Sequence, residues 1–200
     1  MAIRVKETPL RGVLVIESDL HTDPRGFLKE IYHRDEYVSA RLGMEFVQDN
    51  HSHSVMGVLR GLHYQLGSPQ GKLVTAVSGE VFDVAVDIRK GSPDFGKWTG
   101  VRLSPLNSRQ LYVPEGFAHG FCVLSESADV IYKCTEFFDP DDQYGVLWSD
   151  PDINIEWPVS DPILSTTDAK NPALGEISED DLPVYIQVTG IDILSGRLRD

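Results

Sequence analysis

Residues 48–65 read QDNHSHSVMGVLRGLHYQ, and they place three histidines and an arginine inside a run of β-branched and apolar residues. The centre of this stretch, residues 58–64, predicts a strand because short apolar runs bounded by glycine favour extended structure. Side chains alternate between the two faces of a regular strand, so Arg60 and His63 would point to opposite sides. A site that uses both residues needs a break in this alternation, and Gly61 can supply one as a bulge.

The structural alternative for this stretch is a core strand that carries incidental polar residues. A lone histidine would favour that alternative. Arginine and histidine together inside one apolar run favour a functional site instead, because unpaired polar groups are costly to bury.

Short strands and turns follow one another on both sides of this stretch. Strands are predicted at 12–17, 27–33, 72–78, 81–88, 97–103, 110–113, 120–124 and 130–137. The strand at 81–88 alternates cleanly, with Phe82, Val84, Val86 and Ile88 on one face and Val81, Asp83, Ala85 and Asp87 on the other. A turn is predicted at His21–Gly26. Many short strands with regular turns predict an all-β sandwich or barrel.

One segment has helical character. Residues 34–42, RDEYVSARL, predict a helix that Gly43 ends as a C-terminal stop. The last residues, VYIQVTGIDIL, regain β character and are interpreted as an added edge strand or a contact between subunits.

Length and composition exclude several classes of protein. A chain of 200 residues fits one domain with a sizeable core. The net charge of −13 argues against binding to nucleic acid or to an anionic membrane, which requires a basic surface. No apolar run is long enough to span a membrane. The N-terminus lacks the apolar core of a signal peptide, and Cys122 and Cys134 form no C-x-x-C pair, so a reducing, cytoplasmic setting is expected.

A metal site is one candidate for the histidines. His51 and His53 would lie on one strand face, and His119 could bring a third imidazole. The set is incomplete, because residues 55–57, Val-Met-Gly, stand where a carboxylate would be needed, and Val123 stands where an asparagine would be expected. Structural or solvated histidines are therefore favoured over a tight metal site.

Covalent catalysis and phosphate-loop chemistry have no sequence signature here, since neither G-x-S-x-G nor a glycine-rich phosphate loop is present. Acid–base chemistry remains, with a histidine base, a carboxylate to orient it, a tyrosine acid and a lysine for an oxyanion. The candidate residues near strands are Arg25, Glu30, Gln48, Asn50, Arg60, His63, Lys72, Asp83, His119, Tyr132 and Asp168.

Eight strings that occur in order closely resemble the dTDP-4-dehydrorhamnose 3,5-epimerases. They are DPRGFL, FVQDNHS, GVLRGLHYQ, QGKLV, GEVFDVAVDIRKGSP, FGKWTGV, VPEGFAHGF and YKCT. The resemblance implies a cupin jelly roll with one or a few short helices, a homodimer whose N-terminal strands pack against the partner, and no metal or redox cofactor. It implies a dTDP-sugar substrate, dTDP-4-dehydro-6-deoxy-glucose, whose C3 and C5 hydrogens flank a C4 ketone.

The resemblance also implies catalytic roles. The family's base falls on His63, its dyad carboxylate on Asp168 and its proton donor on Tyr132. Lys72 would stabilise the enolate oxygen, and His119 would line the sugar pocket. As a hypothesis, Asp83 pairs with His119.

For the nucleotide end, the resemblance implies contacts from Arg25, Glu30, Gln48, Asn50, Arg60, Phe138 and Gln143. Two arginines suit a pyrophosphate, because guanidinium binds phosphate oxygens bidentately. Phe138 falls where an aromatic residue, often tyrosine, stacks on the thymine. Gln143 and Thr167 replace a glutamate and a lysine found in many members, which predicts an altered nucleotide affinity or preference.

These observations predict one catalytic domain over residues 1–185 and a C-terminal extension of unknown role over residues 186–200. The expected activity is that of a sugar-nucleotide 3,5-epimerase on the route to dTDP-L-rhamnose. Two rivals remain. One is a mono-epimerase of another dTDP-deoxysugar pathway, and the other is a non-catalytic or metal-dependent cupin.

Overall fold

The structure is a computed structural model that describes residues 3–40 and 42–186, and most of its regular structure is β-strand. The strands are β1 (Ile3–Glu7), β2 (Leu14–Ser18), β3 (His21–Asp23), β4 (Gly26–Leu28), β5 (Gln48–Val55), β6 (Leu59–Gln65), β7 (Lys72–Ser78), β8 (Val81–Asp87), β9 (Trp98–Leu103), β10 (Arg109–Val113), β11 (Phe117–Val123), β12 (Ser127–Cys134) and β13 (Gln143–Gly145). The helix α1 spans Arg34–Ser39, and short 3₁₀ turns lie at Pro140–Asp142, Asp168–Lys170, Leu174–Glu176 and Glu179–Asp181.

Two antiparallel sheets form the body of the fold. The first has the order β1-β2-β10-β7-β12-β5, and the second has the order β13-β6-β11-β8-β9. Strands adjacent in a sheet are mostly distant in sequence, as in a jelly roll, where hairpins fold over one another. The expected all-β cupin jelly roll with a few short helices is confirmed.

The core lies between the inner faces of the two sheets. Val74 and Leu111 from the first sheet meet Val81, Val123 and their neighbours from the second. The outer face of the second sheet is covered by the chain after β13, through Ile153, Leu174, Leu182 and Val146. The outer face of the first sheet is covered by α1 and the residues after it, through Tyr37 and Leu42. Both sheets are therefore buried on both faces over much of their length.

The predicted alternation along β8 is confirmed. Val84 and Val86 pack under the C-terminal segment, while Val81 and Ala85 face the space between the sheets. Asp83 lies between Val81 and Ala85 and thus shares their inner face. One carboxylate is in this way placed inside the barrel.

Three local predictions were wrong in extent. The helix ends at Ser39, with Ala40 as its C-cap, and Gly43 does not stop it. The chain leaves the helix early because the Leu42 side chain is buried against the first sheet. The N–H of Leu42 donates a hydrogen bond back to the carbonyl of Tyr37 on the helix. The segment 21–26 is a β-hairpin of β3 and β4 rather than only a turn, and extended pairing ends at Leu28 instead of continuing to His33.

The C-terminal part of the described chain returns to the second sheet's side of the molecule. Val184 forms a parallel bridge with Lys90. Most of the predicted β segment at the end of the chain lies outside the described residues. Among the residues described, none of the helices is long and apolar enough to cross a membrane.

Candidate active site

A register shift in β6 brings Arg60 and His63 to the same face of the sheet. On the neighbouring strand β11, His119 pairs with His63, whereas Phe121 pairs with Arg60, so β6 holds one extra residue between the two pairs. Cross-strand partners share a face, and Phe121 belongs to the core between the sheets. Both Arg60 and His63 therefore point inward, and the bulge predicted at Gly61 is confirmed.

Glycine is required at this bulge for two reasons. Gly61 has φ +111°, a conformation that side chains disfavour. A Cβ on Gly61 would lie 2.6 Å from the carbonyl oxygen of His119 and 2.7 Å from the Cα of Gly120. On the facing strand, a Cβ on Gly120 would lie 2.6 Å from the carbonyl oxygen of Arg60. The two strands approach too closely here for any other residue.

His63 and Asp168 form a hydrogen-bonded pair, with 2.6 Å between Nε2 and Oδ1. A carboxylate only accepts hydrogen bonds, so the contact requires a proton on Nε2 and leaves Nδ1 as the basic nitrogen of His63. Burial opposes ionisation of Asp168, but the hydrogen bond and charge of His63 outweigh it, with smaller contributions from Ser165 and the N–H of Gly61, and the pKa of Asp168 is lowered. Asp168 is thus held as an anion beside the imidazole.

Lys72 and Tyr132 line the facing sheet. Lys72 begins β7 and pairs with Cys134, and Tyr132 pairs with Val74 of the core. Burial lowers the pKa of Lys72, while the charges of Cys134 and Asp83 raise it. Burial also raises the pKa of Tyr132, which keeps the phenol protonated at neutral pH. A phenol and a buried lysine therefore stand across the interior from His63.

His119 and Asp83 form a second pair beside the first. The distance between Nε2 of His119 and Oδ1 of Asp83 is 2.8 Å, which confirms the pairing predicted from sequence. Burial raises the pKa of Asp83, and the neighbouring His119 and Lys72 act in the opposite direction. His119 and His63 are directly paired across β11 and β6.

A polar row on the inner face of β5 leads away from this group. The members of the row are Gln48, Asn50, Ser52 and Ser54, every second residue of the strand. The Gln48 side-chain amide donates a hydrogen bond to Asn50 and accepts one from the N–H of Phe138. The Asn50 amide in turn contacts the Cys134 sulfur. Arg60 Nε donates to the Ser54 hydroxyl.

Three predicted residues, Gln48, Asn50 and Phe138, thus lie together at one end of this row, and Arg60 contacts Ser54 at its other end. The two serines and Cys134 were missed as site residues, although the period-two polar pattern of QDNHSHS contained the signal for Ser52 and Ser54. Cys134 carries no such signal, because its place is set by pairing across strands.

The two positions that depart from the family pattern lie at the rim. Gln143 is exposed on β13, next to Gln65 of β6. Thr167 is exposed and immediately precedes the turn that carries Asp168. Neither residue touches the His63–Asp168 pair directly in the described contacts.

Arg25 and Glu30 are not brought to His63 within one chain. Arg25 lies on the β3–β4 hairpin, where its side chain is 90% exposed and ion-paired with Asp23. The chain just after the hairpin is anchored on the far side of the first sheet, where the carbonyl of Ile31 accepts from Gln110. Glu30 lies close enough to Tyr37 for its charge to affect that phenol.

The histidines considered for a metal are separated by the fold. His51 and His53 point outward from β5, where both contact Oδ1 of Asp129 at 2.9 and 3.1 Å. His119 points inward. Among residues 3–40 and 42–186, no group of three or more histidine, cysteine, aspartate or glutamate side chains is arranged to hold a metal ion.

The jelly roll holds a histidine paired with a carboxylate, a phenol and a buried lysine, which are groups that acid–base enzymes use. A profile of the family described as dTDP-4-dehydrorhamnose 3,5-epimerase matches residues 7–176. The chain belongs to this family and is an isomerase.

Two relatives show how close the match is. A dTDP-4-dehydrorhamnose 3,5-epimerase of Shigella flexneri is 56% identical over 169 residues, which cover 83% of this chain and 93% of that protein. The crystal structure of a dTDP-6-deoxy-D-glucose-3,5-epimerase from Legionella pneumophila, in complex with dTDP-4-keto-L-rhamnose, has a TM-score of 0.89. That protein is 46% identical, and the match covers 92% of this chain and 99% of its own.

A third relative differs in its named activity. A dTDP-4-dehydrorhamnose 3-epimerase of Streptomyces niveus is 38% identical over 197 residues, covering 96% of this chain and 95% of that protein. Family membership alone therefore leaves the number of inverted centres to be tested.

Proposed function

We propose that the enzyme inverts both C3 and C5 of dTDP-4-dehydro-6-deoxy-D-glucose and yields dTDP-4-dehydro-L-rhamnose for dTDP-L-rhamnose synthesis. The observation that carries the proposal is the His63–Asp168 pair, which faces Tyr132 and Lys72 in one interior. The named activity of the Shigella relative supports two inversions over one.

The chemistry follows from the C4 ketone, which makes the hydrogens on C3 and C5 weakly acidic. In the proposed mechanism, His63 removes one of these protons through Nδ1, and the electron pair moves into an enolate on the C4 oxygen. Asp168 stabilises the imidazolium that forms. Lys72 and His119 stabilise the enolate oxygen. Tyr132 then returns a proton to the opposite face of the carbon, which inverts the centre without any net redox change.

The nucleotide is proposed to lie along the polar row of β5. Arg60, at the Ser54 end of the row, offers its guanidinium to the pyrophosphate, and Gln48 and Asn50 offer amide groups towards the other end. The exposed ring of Phe138 stacks on the thymine, with Gln143 at the rim. Arg60 is exposed on the inner face of its strand and Lys72 is buried, so both bring positive charge towards an anionic substrate in a chain whose net charge is −13.

Replacing Arg60 tests the nucleotide site. Arg60→Ala is expected to raise KM about 10- to 100-fold, the usual worth of a hydrogen bond to a charged group, because the pyrophosphate is remote from the reacting carbons. The change in kcat should be smaller. Arg102→Ala, which removes a surface arginine paired with Glu80, is the matched control and should leave KM unchanged. An unchanged KM for Arg60→Ala would remove Arg60 from the site.

A homodimer is proposed to complete this site. The β3–β4 hairpin carries exposed Phe27 and Leu28 beside Arg25, and an exposed apolar strand is a typical docking element. In the proposed dimer this hairpin packs on the partner and brings Arg25 and Glu30 to the nucleotide end of the partner's site. Sedimentation of the intact chain and of Leu28→Asp would test this, since loss of the dimer should accompany a raised KM.

Residues 1–185 are proposed to act as a single catalytic domain, with 186–200 as an extension. A cytoplasmic location is also proposed. It is supported by Cys122 and Cys134, which are both free thiols, as expected in a reducing compartment.

Incubation with dTDP-4-dehydro-6-deoxy-glucose in deuterated water, followed by NMR, tests the function. Deuterium at both C3 and C5, with formation of the L-sugar, is the expected result. Exchange at one carbon only would favour a mono-epimerase, the activity named for the Streptomyces relative. Exchange at neither carbon would contradict both. Metal analysis of the same protein tests the metal-dependent alternative, which requires a stoichiometric metal whose removal abolishes activity.

A further inference from the structure

Asp83 is the most deeply buried charged group beside the site, and its contacts are incomplete. The residue is 0% exposed. Its Oδ1 accepts a hydrogen bond from His119, but its Oδ2 is buried without a hydrogen-bond partner among the described residues. An unsatisfied buried carboxylate oxygen is costly and uncommon, so packing alone is a poor explanation for it.

The charges around Asp83 indicate what it does. Lys72 is buried on the facing sheet, and its charge and that of Asp83 stabilise each other. Among the described residues, Lys72 makes no direct ion pair. Asp83 is the only described carboxylate whose charge raises the pKa of Lys72. The other titratable or charged groups on the inner faces of the adjoining strands include Cys134, Tyr132, His63, His119 and Arg60.

We propose that Asp83 is a positioning residue for the site of the enolate oxygen: it holds His119 with its proton on Nε2 and supplies the buried negative charge that keeps Lys72 an ammonium. The inference rests on the role proposed above for Lys72. It explains how Lys72 keeps its positive charge, since a buried lysine without a neighbouring negative charge tends to lose its proton.

A charge-only substitution separates this role from a structural one. Asp83→Asn keeps the shape and one acceptor oxygen for His119 but removes the negative charge. Asp87→Asn is the matched control, because Asp87 is also 0% exposed, lies on the same strand, and pairs with Arg89 and Ser92 instead. Both variants lose a buried carboxylate, but of the two residues only Asp83 acts on the charge of Lys72.

The measurement is the pH profile of kcat and KM for both variants and the unsubstituted enzyme. For Asp83→Asn, kcat near neutral pH should fall about 10- to 100-fold, less than the ~10²–10³-fold cost of removing an oxyanion donor itself. KM should change little. The alkaline limb, where Lys72 loses its proton, should move to lower pH. Asp87→Asn should not move this limb. An Asp83→Asn profile that matches that of Asp87→Asn would overturn the proposal.

A second measurement on the unsubstituted enzyme covers the case in which Asp83→Asn fails to fold. NMR of protein labelled with ¹⁵N-histidine should show His119 protonated on Nε2 throughout the active pH range. A neutral His119 protonated on Nδ1 would overturn the proposal. An unsubstituted enzyme that exchanges neither C3 nor C5 in deuterated water would instead contradict the proposed function, so the two failures are distinguishable.

Discussion

Two histidine–carboxylate pairs lie side by side in this molecule, and their carboxylates come from different places. His63 and His119 are direct cross-strand partners on β6 and β11. Asp83 comes from β8, the next strand of the same sheet. Asp168 lies 105 residues after His63, on a 3₁₀ turn beyond the last strand. One pair is built into the sheet, and the other is completed by a segment that folds back over it.

The two pairs also differ in environment. The side chain of His63 is 32% exposed and that of His119 is 8% exposed. The pKa of Asp168 is lowered because its contacts outweigh burial, whereas the pKa of Asp83 is raised because burial dominates. Similar hydrogen bonds therefore produce different chemistry. The less buried pair with a well-satisfied anion suits proton transfer, and the more deeply buried pair suits a fixed role beside the reacting oxygen.

The largest expected effect comes from removing each histidine in turn. His63→Asn should lower kcat by about 10²–10⁴-fold, the usual range for a positioned base, with dTDP binding largely kept. Exchange of deuterium should fall equally at both carbons. His119→Asn should cost less, and some exchange should persist, because a base is still present. Equal residual exchange in the two variants would break the distinction between the pairs.

Replacing Tyr132, the proposed proton donor on the facing sheet, tests the distinction further. Tyr132→Phe removes only a hydroxyl, so the first proton abstraction by His63 should survive. We expect deuterium exchange to continue at one carbon, C3, while conversion to the L-sugar is lost. Tyr144→Phe is the control, since Tyr144 stacks on Tyr64 away from the interior. Normal conversion by Tyr132→Phe would make water or His119 the donor.

The register that places the two histidines together depends on Gly61. Gly61→Ala should cost at least about 1–3 kcal/mol of stability, because φ is positive and the new Cβ meets the backbone of β11. A displacement of about 1 Å at His63 should reduce activity about 10²-fold. Gly57→Ala is the matched control, because Gly57 has φ +80° but nothing within 4 Å of its Cβ. Thermal unfolding and kcat/KM of both variants measure the difference.

The smallest expected effect is on the pH dependence of stability, and the two carboxylates should act with opposite sign. Asp168 has a lowered folded pKa, so its stabilisation is present above its unfolded pKa and is lost as pH falls through the folded value. Asp83 has a raised folded pKa, so stability decreases as pH rises from its unfolded towards its folded pKa. Urea unfolding of Asp168→Asn should show a flatter acid limb. Asp83→Asn should remove the opposite slope, and slopes of the same sign would contradict opposite pKa shifts for the two carboxylates.

Much of the fold and part of the site could be predicted from local patterns. The alternation along β8 placed Asp83 on the inner face, because the side-chain period of a strand is two. The apolar run interrupted by Gly61 predicted the bulge, because a positive φ and a close backbone approach both require glycine. Helix α1 was placed correctly at its start but not at its end, since burial of Leu42 rather than Gly43 decides where it stops.

The sequence by itself determined the class of fold, the bulge that turns Arg60 and His63 to one face, and the residue types available for proton transfer. These depend on interactions between near neighbours along the chain. The family resemblance implied that Asp168 partners His63, and the structure shows their hydrogen bond, which no local pattern predicts. Only the tertiary structure decided that Cys134 lies beside Lys72 and that His51 and His53 face away from His119. Such contacts join residues far apart in sequence, and their geometry depends on how the two sheets pack and which strands become neighbours, which local periodicity does not specify.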